Sequence, residues 1–327
     1  MSKLVTIYGG SGFVGRYIAR RMANEGWRVR VAVRRPNEAM FVKPYGVVGQ
    51  VEPVLCNIRD DASVALAMRG ADAVVNCVGV LNELGKNEFD AVQADGAERI
   101  ARLAAAQRIA RMVHISAIGA DAEAASEYAQ TKAHGEAGVL AHMPDAVILR
   151  PSVIFGTEDQ FFNRFAGMTR MAPVLPLVGA GTKFQPVYVD DIAKAAVKGV
   201  LGQAEAGVYE LGGPEVKTFR ALMQQMLAVI HRHRVIIGMP FWVARIMAGM
   251  LDILKFVSFQ LFPNHILTRD QLKNLRHDNV VSEDAKTFED LGIEPTTLES
   301  VLPEYLWKFR PSGQYDDIQN SAGNLRT

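Results

Sequence analysis

Leu4-Val5-Thr6-Ile7-Tyr8-Gly9-Gly10-Ser11-Gly12-Phe13-Val14-Gly15-Arg16 decides how the rest of the chain is read. Five β-prone residues stop at Gly9, and a Gly-x-x-Gly-x-x-Gly string then opens a helical pattern over 14–24. Between a strand and a helix the glycines have separate tasks. Gly9 permits a tight turn, Gly12 lets the backbone approach a pyrophosphate, and Gly15 lets the helix lie close on the sheet. The helix N-terminus adds free N–H groups and a positive dipole end. With Ser11, Phe13 and Val14 completing the loop, the string predicts a dinucleotide site.

Working outward, short β-rich runs alternate with longer helical patterns. Strands are expected at 4–8, 28–33, 51–56, 73–78, 111–116 and 146–150, and helices at 14–24, 61–68, 89–107 and 127–140. This predicts an α/β fold over residues 1–155, a Rossmann-like doubly wound parallel sheet. Beyond it Pro173, Pro176, Gly179, Gly181 and Pro186 break the alternation, the texture of a smaller irregular C-terminal lobe spanning 156–310. Residues 185–215 are expected to return to the first domain, and 311–327 form a polar tail.

A carboxylate ending the second strand would hold the ribose 2′-OH of NAD. Here that strand ends Val31-Ala32-Val33-Arg34-Arg35. Arg16, Arg34 and Arg35 instead supply guanidinium forks suited to a 2′-phosphate, so NADPH is the expected cofactor. Asn57 and Ile58 are expected at the adenine. Cys77, Val78, Gly79, Ser116 and Pro151, at the ends of later strands, complete the expected contacts.

The 36 Lys and Arg against 35 Asp and Glu leave no global field to gather nucleic acid. Two cysteines, Cys56 and Cys77, exclude a disulfide scaffold and a Cys-rich zinc site, and fit a reducing compartment. No metal site is expected, because His231 and His233, two apart, do not share a helix face. No secretory or import signal opens the chain, and no uncharged apolar stretch reaches the roughly 18 residues of a membrane span. The reading is a cytosolic protein, or one held to a membrane surface from the cytosol.

Tyr128 and Lys132 lie four apart and share a helix face, where the ammonium can lower the phenol pKa and reach a nicotinamide ribose. With the glycine turn, Tyr128-x-x-x-Lys132 and Val187-Tyr188-Val189-Asp190-Asp191, the chain resembles the extended and atypical short-chain dehydrogenase/reductases over about residues 4–215. Within them it is most similar to the NADPH-binding accessory subunits of respiratory complex I, NADH:ubiquinone oxidoreductase. The motifs are Gly12-Phe13-Val14-Gly15-Arg16-Tyr17, Ile154-Phe155-Gly156-x-Glu158-Asp159 with Phe161-x-Asn163-x-Phe165, Gln185-Pro186-Val187-Tyr188-Val189, Thr268-Arg269-Asp270 and Glu289-Asp290-Leu291-Gly292-Ile293. The resemblance implies a tightly held NADPH remote from the electron path. It also implies complex I partners near the membrane and quinone end, with contact to the membrane surface. The implied location is the cytoplasmic face of a bacterial inner membrane, or the matrix face for a processed mitochondrial form.

The family's acid/base pair is Tyr128 and Lys132. Its reductases also offer a Ser/Thr cluster beyond the fifth strand, whereas this chain reads His114-Ile115-Ser116-Ala117-Ile118-Gly119. Tyr128 and Lys132 are therefore read first as ribose ligands and second as catalysts, and the function as a non-catalytic accessory subunit. The alternatives are an active NADP-dependent reductase, epimerase or dehydratase on a sugar nucleotide or other carbonyl compound, and a redox-sensing regulator.

Three features remain. Asp190 and Asp191 are read as capping the helix expected over 192–201 and as complementing its dipole. The apolar stretch 240–262 is a helix that either fills the lobe's core or docks on a membrane or partner. His231-Arg232-His233-Arg234 places cations at a helix C-terminus, within reach of lipid phosphates if that face meets a bilayer.

Overall fold

The computed structural model describes residues 2–80, 88–246, 249, 269–311 and 313–315. The chain divides into two compact units. One comprises residues 1–152, 189–212 and 281–294, the other 153–188, 213–280 and 295–327.

In the first unit β1 (Leu4–Tyr8), β2 (Arg28–Val33), β3 (Val51–Leu55), β4 (Ala73–Asn76), β5 (Arg111–Ile115) and β6 (Val147–Pro151) join the strand Gly207–Leu211 in one sheet. All neighbours are parallel, in the order Gly207–Leu211, β6, β5, β4, β1, β2, β3. The chain runs outward from β1 through β2 to β3, then crosses back to β4 on the other side. The crevice outside the C-terminal ends of β1 and β4 is the place where such sheets bind ligands.

β1 is buried throughout, as a central parallel strand must be. Its polar atoms are satisfied from below: Thr6 Oγ1 donates to the Ala67 carbonyl at 3.0 Å and Tyr8 Oη to that of Val64 at 2.8 Å. α1 (Phe13–Asn24) buries Gly15, Ile18, Ala19, Met22 and Ala23, one stripe at helical spacing. It packs on the helix Val189–Leu201, and Arg21 Nε donates to Asp190 Oδ1 at 2.6 Å. Asp191 is fully buried with Lys194 Nζ at 2.6 Å. The helix starts at Val189, so the two aspartates lie inside its first turn and not at the expected cap; the dipole favours them there, and each has its own cation.

α2 (Asp61–Ala67) is capped by Asp60, which accepts from the Ser63 N–H at 2.8 Å. The helix expected over 89–107 is two elements, a π turn Asp90–Ala94 and α3 (Asp95–Ala106). α4 (Glu127–His142) approaches this pair so closely that a methyl at Gly135 would lie 2.3 Å from the Gln93 carbonyl oxygen.

Residues 207–211 supply the seventh strand, inside the span expected to return. Residues 281–294, expected in the lobe, also belong to the first unit: the Glu210 N–H donates to the Lys286 carbonyl at 2.8 Å, and Glu210 Oε2 accepts from the Ser282 N–H at 2.8 Å. That pairing joins residues more than 70 positions apart, which local patterning does not record.

The second unit has its own core of Phe155, Phe162, Phe184, Phe219, Leu222 and Met226, closed by the helix Leu298–Leu306. Asp159 organises its first loop, accepting from the N–H groups of Gly156 at 3.2 Å and Asn163 at 3.0 Å and from the Tyr305 hydroxyl. Of the apolar stretch 240–262, residues 241–246 are helical, whereas 247–248 and 250–262 lie outside the described residues. So do residue 312 and residues 316–327 of the tail. No helix among the described residues is long and apolar enough to cross a membrane.

Gly135→Ala should push α4 away from the π turn and cost about 1–3 kcal/mol. Urea unfolding measures it, and a variant as stable as the wild type would show that this contact is not tight.

Candidate dinucleotide site

Gly9 has a φ of +73°, the left-handed region that favours glycine, and sits against the backbone of Cys77. At Gly15 a methyl would lie 2.5 Å from the Gly9 carbonyl oxygen and 2.7 Å from Gly10 Cα. The turn and the helix thus interlock. Gly12 is exposed and extended at the N-cap of α1; no side chain caps this helix and no acid stands in its first turn. The intermediate exposure of Ser11, Phe13 and Val14 leaves the loop open to solvent. A bare positive helix end behind a cradle that a Cβ would fill fits the pyrophosphate of a dinucleotide.

At the expected adenosine end, Arg16 lies along the turn. Its Nη2 donates to the Ser11 carbonyl at 3.1 Å and its Nε to that of Gly12 at 3.3 Å, while its guanidinium stands 4.8 Å from the centre of the Phe41 ring. Arg34 and Arg35 are exposed past the end of β2, and Arg35 Nη1 meets Glu38 Oε1 at 3.0 Å. Exposed pairs of this kind are weak. Asn57 is exposed and shapes its own turn, its N–H donating to Ser63 Oγ at 2.9 Å and its Oδ1 accepting from the Arg59 N–H at 3.2 Å. Ile58 is buried with Tyr8, Ala97 and Ile100, so the expected adenine-facing side chain is core.

The other end gathers at the tips of β4 and β5. Cys77, Val78 and Gly79 follow β4; Cys77 N–H donates to the Tyr8 carbonyl at 2.9 Å and Val78 N–H to Asn76 Oδ1 at 3.0 Å. That bond turns the Asn76 amide nitrogen toward His114 Nδ1, 3.1 Å away. Nδ1 therefore accepts, and His114 carries its proton on Nε2, which is buried with no partner among the described residues. Burial, with the Lys132 charge second, holds His114 down at about 3, neutral at physiological pH.

Lys132 is 5% exposed on α4, its Nζ donating to the Ile115 carbonyl at 3.3 Å. A methyl at Gly79 would lie 3.3 Å from that Nζ and 3.8 Å from Gln93 Oε1. Gln93 is buried, with neither end of its amide partnered among the described residues. Buried polar groups without partners are rare in a native fold, so three such atoms around a buried ammonium fit a polar ligand or water at this end. Sequence reading missed Gln93. Its only signal is a polar side chain inside a buried helical stripe, and the π turn that carries it, a feature frequent at functional sites, has no local signature.

Tyr128 is partly buried, its ring edge-on to Phe89 at 5.9 Å and 6.0 Å from Lys132 Nζ. The expected lowering of its phenol is absent: burial pushes it up to about 12. Ser116 also departs from expectation. It is buried, its hydroxyl donates to Glu136, and Glu136 in turn accepts from Arg150 Nε at 2.9 Å and Nη2 at 2.6 Å. The one hydroxyl near the fifth strand's end thus belongs to a buried ion pair. Pro151 closes the edge, its carbonyl accepting from the Ile118 N–H at 3.0 Å. The arrangement can hold a nicotinamide ribose through Lys132, but a proton donor of this pKa is poorly matched to neutral pH.

Burial lowers Lys132 to about 8 from the 10.5 of a free side chain. Between those values the unfolded chain binds more protons, so this group's cost is full below pH 8 and is relieved as pH rises above it. Lys132→Met should therefore raise the stability of the nucleotide-free protein by about 1–3 kcal/mol at pH 7, an advantage that shrinks above pH 8, while weakening dinucleotide binding. Thermal melts from pH 6 to 9 and a binding titration measure both; a destabilised variant would contradict it.

The model of the NAD dependent epimerase/dehydratase family matches residues 5–212. NADH dehydrogenase [ubiquinone] 1 alpha subcomplex subunit 9 of Arabidopsis thaliana mitochondria is 34% identical over 95% of this chain and 79% of its own. The NADH-ubiquinone oxidoreductase 40 kDa subunit of Neurospora crassa mitochondria is 30% identical over 95% and 80%. A ceramide reductase of Caulobacter vibrioides is 31% identical over 59% and 60%. Among solved structures, the Bordetella bronchiseptica enzyme WbmH in complex with NAD+ superposes with a TM-score of 0.68 at 18% identity, over 96% of this chain and 100% of that one. Fold, glycine turn and similarity over nearly the whole chain agree: the chain belongs to the NAD dependent epimerase/dehydratase family, as a homologue of the alpha subcomplex subunit 9 and 40 kDa subunits of mitochondrial NADH-ubiquinone oxidoreductase.

Proposed function

We propose that the protein is an NADPH-binding, non-catalytic accessory subunit of respiratory complex I. The observation that carries this reading is the similarity to complex I subunits along nearly the whole chain, second unit included. Two features favour a structural nucleotide. The hydroxyl of Ser116 is committed to Glu136, with only Ala117 and Ile118 after it, and burial raises the Tyr128 phenol far above neutral pH. Arg16, Arg34 and Arg35, with no acid ending β2, favour the 2′-phosphate of NADPH over NAD.

The nucleotide would lie across Gly9, Ser11, Gly12, Phe13, Val14 and Gly15. Its 2′-phosphate would face the three arginines and its adenine the exposed turn at Asn57, with the Ile58 side chain turned into the core. Its nicotinamide ribose would reach Lys132 and Tyr128 beside Cys77, Val78, Gly79, Ser116 and Pro151. Bound at a hundred times its Kd, such a ligand stabilises the fold by about 2.7 kcal/mol and so keeps a docking surface in shape.

The proposal includes a peripheral position at the cytoplasmic face of a bacterial inner membrane or the topologically equivalent mitochondrial matrix face. Its support lies within the second unit, where residues 160–188 and 216–251 contain no Asp or Glu while carrying Arg170, Arg220, Arg232, Arg234 and Arg245. Trp242, Ile246, Val235 and Ile237 are exposed among them. Arginine around exposed apolar side chains suits an anionic membrane surface. The Nε groups of Arg232 and Arg234 hold the Phe309 and Thr169 carbonyls, and Arg220 Nη1 donates to the Ile236 carbonyl at 3.2 Å, between the exposed Val235 and Ile237; Arg245 adjoins the exposed Ile246 in sequence, so Arg220 and Arg245 are the cations to reverse. Arg220→Glu with Arg245→Glu should abolish cosedimentation with vesicles containing anionic phospholipid. Unchanged binding would remove the membrane contact.

A second reading, an NADP-dependent reductase, epimerase or dehydratase on a sugar nucleotide or other carbonyl compound, is favoured by the Tyr128–Lys132 pair and the similarity to a ceramide reductase. A tagged pull-down from gently solubilised membranes, with mass spectrometry of proteins and acid-released nucleotide, separates the two. Complex I subunits with near-stoichiometric, slowly exchanging NADPH are the expected result. A lone protein with freely exchanging nucleotide would overturn the accessory role.

A further inference from the structure

An exposed aromatic ring stands beside the arginine expected to read the cofactor's phosphate, and nothing in the core needs it there. After β2 the chain forms a 3-10 segment, Pro36–Tyr45, anchored by Ala39 and Val42, which are 1% and 0% exposed. Phe41, between those anchors, points outward and is 43% exposed. Its ring faces the Arg16 guanidinium at 4.8 Å, with Tyr45 edge-on behind it at 6.4 Å. Arg16 is thus bounded on one side by a ring and on another by the Ser11 and Gly12 carbonyls of the glycine turn. A long flexible cation otherwise loses rotamer freedom when it binds an anion, and bracing it beforehand reduces that loss.

We propose that Phe41 is a positioning residue for nucleotide selectivity: its ring holds the Arg16 guanidinium where a ribose 2′-phosphate is read. This rests on the NADPH reading and deepens it. In this role Phe41 would act on the nucleotide through Arg16, and so would favour NADPH over NADH only through that arginine. Arg35 pairs with Glu38 on the same 3-10 segment, whereas Arg16 is held by a ring and by the turn itself.

The experiment is calorimetric titration of the full chain with NADPH and with NADH, for the wild type, Phe41→Leu, Phe41→Tyr and Arg16→Met, with a thermal melt of each. The wild type should bind NADPH more tightly. Phe41→Leu keeps the charge of Arg16 yet should raise the Kd for NADPH about three- to tenfold, leave that for NADH within about twofold, and melt like the wild type. Phe41→Tyr should restore NADPH affinity, and Arg16→Met should lose more than Phe41→Leu does. Equal weakening toward both nucleotides, or no change in Phe41→Leu while the wild type still prefers NADPH, would overturn the bracing role alone. A wild type that does not distinguish NADPH from NADH would overturn the cofactor reading and this inference with it.

Discussion

The first unit depends on how closely α1 can come to the turn after β1. With Gly15 at the contact, the helix start lies against the Gly9 carbonyl and the Gly10 backbone, where any side chain would collide. That approach fixes where the helix dipole points, leaves the first turn of α1 without an acid or a capping side chain, and brings Gly9 against Cys77 at the end of β4. Because the strand order reverses beside β1, the turn faces the crevice in which sheets of this kind bind ligands. Nucleotide geometry and helix–sheet packing are therefore one constraint.

Around that constraint the unit buries charge in two different ways. Glu136 is fully engaged by Ser116 and Arg150, and Arg150 also reaches Glu210 Oε1 at 3.6 Å, so the pair is satisfied on several sides. Lys132, one helical turn from Glu136, has a single carbonyl acceptor among the described residues and a depressed pKa. A satisfied ion pair specifies a structure, whereas an under-satisfied buried ammonium, near amide and imidazole atoms without partners among the described residues, costs stability. The same contrast bears on catalysis, since the hydroxyl that a reductase would aim at substrate serves the satisfied pair instead.

Much of this was legible in the sequence where the physics is local. β-rich runs place the first six strands, the glycine spacing places the turn, and four-residue spacing puts Tyr128 and Lys132 on one face. The missing acid after Val33 and the bare Ala117-Ile118 turn can be read directly from residue identities. What was not legible depends on partners distant in sequence. The Ser116–Glu136 bond spans 20 residues, the Arg16–Phe41 contact joins two elements, Gln93 and Lys132 both come near Gly79, and Gly135 lets α4 press on the π turn that carries Gln93. Ile58 reads as a strand-end contact residue, yet the packing of α3 makes it core.

The sequence by itself determined the class of fold and the position of the nucleotide turn, because helix and strand periodicity and the steric freedom of glycine act over a few neighbouring residues. The tertiary structure alone decided what each polar side chain does. Burial raises Tyr128 rather than lowering it, removes Ser116 from the surface, leaves Gln93 and His114 Nε2 without partners among the described residues, and returns residues 281–294 to the first unit. Desolvation and long-range pairing depend on which strands become neighbours, and strand order is a property of the whole chain.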